Sequence, residues 1–159
     1  MTRLALQKDV VSVKINVVHP DASVPEYGTE LSAGFDLAVI EHVVLRPGQS
    51  KVYRTGLVIQ APPSHMLLVT PRSSTFRKWG VTLGNTVGII DEDFCGPEDE
   101  LRLYLHAPEG DAPNGKAVRQ IPAGTRLAQG IFVPITRARF DVVDGPIADT
   151  RGGFGSTGD

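Results

Sequence analysis

Leu101-Arg102-Leu103-Tyr104-Leu105-His106 alternates leucine with a polar-tipped side chain at every step. A period of two puts the leucines on one face and Arg102, Tyr104 and His106 on the other, which predicts a half-buried β-strand. Upstream, Val11, Val13, Ile15 and Val17 alternate in the same way with Ser12, Lys14 and Asn16, and Pro20 ends the run. Val43 to Leu45, Lys51 to Ile59 with a break at Gly56, Met66 to Thr70 and Thr86 to Ile90 read as further short strands. Turn signals such as Arg46-Pro47-Gly48-Gln49 and Ala61-Pro62-Pro63-Ser64 punctuate them. Downstream, Ala117 to Ile121, Ile131 to Ile135 and Arg139 to Val143 bring the total to about nine. No window of a dozen residues carries a 3.6-residue period, and Ser74 to Trp79 is a short helical turn at most. Ala107 to Lys116 reads as an exposed loop. The pattern predicts an all-β sandwich, barrel or jelly roll.

Composition agrees and narrows the function. The chain has 159 residues, 41% hydrophobic and 21% charged, with 17 glycines, 12 prolines and a net charge of −2. That describes one soluble globular domain and excludes a general electrostatic grip on nucleic acid. Cys95 is the one cysteine, so neither an intramolecular disulfide nor a Cys-rich zinc site can form. His19, His42, His65 and His106 make no H-x-H or H-x-x-x-H pair, which argues against a protein-ligated transition metal. No apolar run approaches the ~20 residues that cross a bilayer. Met1 to Asp9 lacks the apolar core of a secretory signal, and the expected compartment is the cytoplasm. The expected organisation is one domain over 1–144 followed by a glycine-rich tail over 145–159, mobile when unliganded.

Five segments are more than strand or turn. Ser32-Ala33-Gly34-Phe35-Asp36-Leu37 reads on its own as a Gly-containing bulge with a turn Asp. Pro71-Arg72-Ser73-Ser74-Thr75 is either a surface turn or, with its Arg, hydroxyls and backbone N–H groups at a strand end, a grip for phosphate. Gly84 to Gly96 ends in an acidic run. Within it, Asp91 follows Ile89-Ile90 and should sit at the mouth of the core, where a carboxylate could orient a water. Aspartates are ordinarily ionised at neutral pH, as a general base must be. In Arg126-Leu127-Ala128-Gln129, Arg and Gln three apart cannot share a side of a regular strand, so a bulge or strand start is implied. Arg151-Gly152-Gly153-Phe154-Gly155-Ser156-Thr157-Gly158 lacks P-loop spacing, yet it places one Arg, one aromatic and two hydroxyls in a polar tail.

In this order, A-G-F-D-L, P-R-S-S, G-N-T-V-G-I-I-D-E-D-F-C-G, R-L-A-Q and R-G-G-F-G-S-T-G resemble the five motifs of the trimeric dUTP diphosphatases, over most of the chain from Ala33 to Gly158. The resemblance implies a distorted jelly-roll β-barrel, a homotrimer with active sites shared between subunits, and hydrolysis of dUTP to dUMP and pyrophosphate with Mg²⁺. By the same resemblance Asp91 activates the water, and the hairpin containing Asn85, Gly88 and Ile90 reads uracil. Phe94 stands where the family usually has Tyr and packs under the deoxyribose. Asp36 helps hold Mg²⁺ through water. Arg72, Ser73, Ser74 and Gln129 bind phosphate, with Arg126 in support. From the tail, Arg151 reaches the γ-phosphate, Phe154 stacks on uracil, and Ser156 and Thr157 bind phosphate.

The chain departs from the family pattern in three places. Ser74 replaces a usual Gly, Arg151 abuts Gly152-Gly153 where two residues commonly intervene, and Pro97-Glu98-Asp99-Glu100 replaces a more apolar stretch. Two rival readings share the fold. A dCTP deaminase, or a bifunctional deaminase/dUTPase, needs a Glu in the strand after the third motif. Glu100 lies one residue from that point, and a one-residue slip puts it on the wrong strand face. A non-catalytic nucleotide-binding trimer would have no need of Asp91.

Overall fold

A computed structural model of the chain describes residues 10–150. Among these residues it holds eleven strands and one five-residue helix. The strands are β1 (Lys14–Val17), β2 (Phe35–Ala38), β3 (Val43–Leu45), β4 (Ser50–Arg54), β5 (Leu57–Gln60), β6 (His65–Pro71), β7 (Thr82–Leu83), β8 (Gly88–Ile90), β9 (Arg102–His106), β10 (Arg119–Ile121) and β11 (Arg126–Pro134). The helix, α1, spans Thr75–Trp79 between β6 and β7. No helix among the described residues is long and apolar enough to cross a membrane.

The strand that decided the fold behaves as its alternation predicts. In β9, Leu103 and Leu105 are buried while Arg102 and Tyr104 face outward. It lies between β4 and β7 in a three-stranded sheet. The larger sheet runs β2-β11-β6-β8, and all of its ladders are antiparallel. Two further antiparallel pairs, β1 with β5 and β3 with β10, complete the layers. Between them lies one core containing Leu37, Leu45, Tyr53, Ile59, Leu67, Leu103 and Leu127. Gly130 shows how tightly the large sheet packs: a Cβ there would lie 2.6 Å from the Phe35 ring and 2.9 Å from Leu67 Cδ1. Its absent side chain is what lets Phe35 lie flat on β11.

Three expectations are corrected. Arg139 to Val143 forms no strand, because among the described residues no strand lies beside it; Phe140 is 90% and Val142 96% exposed. Phe35 to Ala38 is a strand and not a bulge, since β11 supplies a ladder that local sequence does not reveal. The loop after β9 is not wholly exposed. Ala107 and Ala112 are buried, and buried Arg119 gathers its backbone by donating to the carbonyls of Pro108, Gly110 and Ala117.

Tyr53 is the largest fully buried side chain. Its hydroxyl donates to Val44 O at 3.0 Å and accepts from Val44 N at 3.1 Å, tying β4 to β3. Tyr53→Phe leaves both backbone groups without that partner and should lower stability by about 1–3 kcal/mol, read from urea unfolding midpoints. Burial raises the Tyr53 pKa above 10.0, opposed by the Val44 hydrogen bond and reinforced by Glu41. The folded chain therefore holds this proton after the unfolded chain has lost it. Stability from this group is complete below pH 10 and falls as pH climbs beyond it. The Phe variant should lack that part of the alkaline loss.

Candidate active site

The large sheet carries four of the five motif segments and sorts them into two groups. At one end, β2 presents Asp36, the turn after β6 presents Arg72, Ser73 and Ser74, and β11 presents Arg126 and Gln129. Gln129 faces Asp36 directly in the β2–β11 register. The register shifts between Arg126 and Ala128, the irregularity that the Arg/Gln spacing required. The extra residue brings both side chains to the same neighbourhood. Arg126 Nη1 lies 3.2 Å from Asp36 Oδ2, and Gln129 Nε2 donates to Pro71 O at 3.4 Å.

Asp36 is the hub. Arg72 Nε sits 2.7 Å from its Oδ1 while Arg126 holds its Oδ2. One carboxylate between two guanidinium groups leaves a net positive corner, which suits a polyanion. Ser73 and Ser74 lie beside it, and among the described residues neither hydroxyl has a hydrogen-bond partner. The Ser74 backbone is right-handed, with φ −91° and ψ −11°, so the usual Gly is not needed there for conformational reasons.

The second group is the hairpin around β8. Gly88 and Ile90 pair with Val69 and Leu67 of β6. Gly88 is buried and Ile90 packs on the core, while Asn85, Asp91 and Phe94 are exposed. Asp91 has no ion pair among the described residues; its carbonyl accepts from Phe94 N at 3.2 Å. Thr86, at the hairpin tip, has φ +63°. A β-branched residue in the left-handed region is strained, and such strain gathers at functional loops.

Within one chain Asp91 and Arg72 lie towards opposite ends of β6, while the hairpin tip before Gly88 runs towards the Arg72 end. Asp91 follows Ile90, which pairs with Leu67, whereas Arg72 lies at the far end of β6. From Leu67 to Arg72 is roughly 16 Å of strand at ~3.3 Å per residue. The fifth segment, with Arg151, Phe154, Ser156 and Thr157, lies outside the described residues.

Glu100 has another occupation. Its carboxylate, 7% exposed, accepts from Arg54 Nε at 2.8 Å and from Gly56 N at 2.7 Å, and lies 3.7 Å from Arg102 Nε. A carboxylate so engaged joins β4 to β9.

Among the described residues no group of three or more His, Cys, Asp or Glu is placed to hold a metal ion. A protein cage for a metal is therefore absent from that region. Mg²⁺ commonly keeps several waters and is bound through one or two carboxylates plus substrate phosphates; both oxygens of Asp36 face guanidinium groups here.

The family model for dUTPase matches residues 20–158. A deoxyuridine 5'-triphosphate nucleotidohydrolase of Stutzerimonas stutzeri is 38% identical, with 97% of each chain covered. One from Neisseria meningitidis serogroup A is 41% identical over 140 residues, covering 85% of this chain and 87% of its own. Among solved structures, the dUTPase of Staphylococcus bacteriophage 80alpha with dUPNHPP superposes with a TM-score of 0.80. It is 22% identical and covers 94% of this chain and 99% of its own, a likeness of fold. A mutant dUTPase of phage phi11, described with a structural Mg(II) ion, has a TM-score of 0.74 at 23% identity and covers 85% of this chain and 98% of its own. With close relatives matched over nearly their whole length and the motif segments of one sheet end gathered around Asp36, this chain belongs to the dUTPase family.

Proposed function

We infer that this chain is a dUTP nucleotidohydrolase that releases dUMP and pyrophosphate, and that it works as a homotrimer with sites shared between subunits. The observation that carries the phosphate half of this reading is the convergence of Arg72, Arg126 and Gln129 on Asp36. A triphosphate carries nearly four negative charges. Bidentate guanidinium donors, serine hydroxyls and backbone N–H groups at the end of β6 offer it a preorganised seat. The base half is the hairpin, where Asn85, Gly88 and Ile90 hold the pyrimidine and Phe94 lies under the deoxyribose.

Asp91 is the proposed base. It takes a proton from a water whose oxygen then bonds to the α-phosphorus. The bond from that phosphorus to the bridging oxygen breaks, and pyrophosphate leaves with the electron pair. Mg²⁺, when bound, neutralises charge on the phosphates, and Asp36 would hold it through its waters. The tail over 145–159 is proposed to close over the nucleotide, with Arg151 on the γ-phosphate, Phe154 on uracil, and Ser156 and Thr157 on phosphate. Closure would exclude water other than the nucleophile. The enzyme would serve the cytoplasmic nucleotide pool.

The separation along β6 supports the shared site. Asp91 and Arg72 lie towards opposite ends of β6, so in the proposed site Asp91 of one chain works with Arg72 of another. The unpaired apolar stretch from Arg139 to Val143 supports association too, because Phe140 and Val142 stand in water when the chain is alone.

Product analysis tests the reading. With Mg²⁺ and dUTP the protein should release pyrophosphate and dUMP; with dCTP it should release no ammonia. Ammonia from dCTP would move the assignment to the deaminases. No product from dUTP, with the nucleotide still bound, would leave a binding protein.

A further inference from the structure

Thr75 is 2% exposed and begins α1, directly after the Arg72-Ser73-Ser74 turn. Its hydroxyl donates to Leu127 O at 2.7 Å, and the same carbonyl accepts from Arg72 N at 3.2 Å. Leu127 is the residue at which β11 slips its register, between Arg126 and Gln129. One carbonyl at the bulge therefore receives both ends of the phosphate turn. The Thr75 N–H to Arg72 O bond at 3.0 Å closes the turn on itself, and Arg72 Nη1 to Arg126 O at 3.3 Å adds a further tie.

We propose that the buried Thr75 hydroxyl is a positioning device that locks the phosphate turn onto the β11 bulge, so that Arg72, Ser73 and Ser74 share one fixed frame with Arg126 and Gln129. The inference rests on the phosphate role proposed for that corner. Thr75 is too deeply buried to touch substrate. It acts through the turn, and small displacements of phosphate-binding groups are amplified in rate and affinity. Losing the hydroxyl leaves no orphaned carbonyl, because Arg72 N still bonds to Leu127 O. The fold should therefore survive while the frame loosens.

The test compares Thr75→Val, which keeps the shape and removes the hydroxyl, with Thr75→Ser, which keeps the hydroxyl. Wild-type release of pyrophosphate from dUTP is measured first; its absence would defeat the functional reading and not this one alone. With the wild type active, Thr75→Val should raise KM for dUTP and Ki for pyrophosphate by about 10-fold. Inhibition by deoxyuridine, which has no phosphate, should stay unchanged, and Thr75→Ser should return both constants to near wild type. A Val variant with wild-type pyrophosphate inhibition overturns the proposal. So does equal weakening towards deoxyuridine, which would mean a general loosening. A Val variant that does not fold overturns it as well, because the hydroxyl would then be holding the fold.

Discussion

Asp91→Asn should lower kcat for dUTP by ~10²–10⁴ while changing dUTP affinity only slightly, the loss expected when a general base is removed. The substitution keeps size and shape but cannot accept the proton of the attacking water. It should also spare the fold. Asp91 is exposed, has no ion pair among the described residues, and holds Phe94 N through its backbone carbonyl, which the substitution leaves in place. Single-turnover kinetics with dUTP, beside equilibrium binding of a non-hydrolysable analogue, separate the two effects. Near-normal single-turnover rates would remove Asp91 as the base. Lost binding with little change in the chemical step would make it a substrate ligand instead.

Elements whose chemistry is local could be read from the sequence. The leucine alternation at 101–106 gave its strand and its buried face, and the Arg126/Gln129 spacing implied a bulge or a strand start, both of which β11 has at Arg126 to Ala128. What sequence withheld was long-range pairing. Phe35 to Ala38 reads as a bulge because Gly34 and Asp36 are turn formers, and only the ladder to β11 makes it a strand. Arg139 to Val143 shows the converse, with strand-forming residues and, among the described residues, no strand beside them. The candidate site follows the same division. Arg72, Asp36 and Gln129 were each legible through a motif, but the double ion pair on Asp36 joins residues from three separate segments and has no local signal. Thr75 was read only as one hydroxyl of the 71–75 segment, and its tie to the bulge has no local signal because its partner, Leu127, is 52 residues away.

Mixed trimers give the largest expected gain of activity. Asp91→Asn and Arg72→Ala should each leave a nearly inactive homotrimer. The first lacks the base, and the second lacks the guanidinium that Asp36 holds at 2.7 Å. If a site takes Asp91 from one subunit and Arg72 from its neighbour, an Arg72→Ala chain beside an Asp91→Asn chain, in the right order, restores one intact site. In a closed ring of three containing both chains, only about one site in three has that order, whichever variant is in the majority. Co-expression with two different affinity tags and purification over both isolates such rings. Their activity should approach a third of wild type, on the order of 10²-fold above either parent if the base supplies its usual share. Sites built within single chains predict the opposite, because every chain then carries one damaged site and mixing repairs none. Mixed rings no more active than their parents would therefore break the shared-site reading. They would also require the roughly 16 Å of strand between Leu67, the partner of Ile90, and Arg72 to be bridged within one subunit. The ladders hold Ile90 opposite Leu67 and Ala128 opposite Pro71, so neither of their neighbours, Asp91 and Arg72, can slide along β6 towards the other.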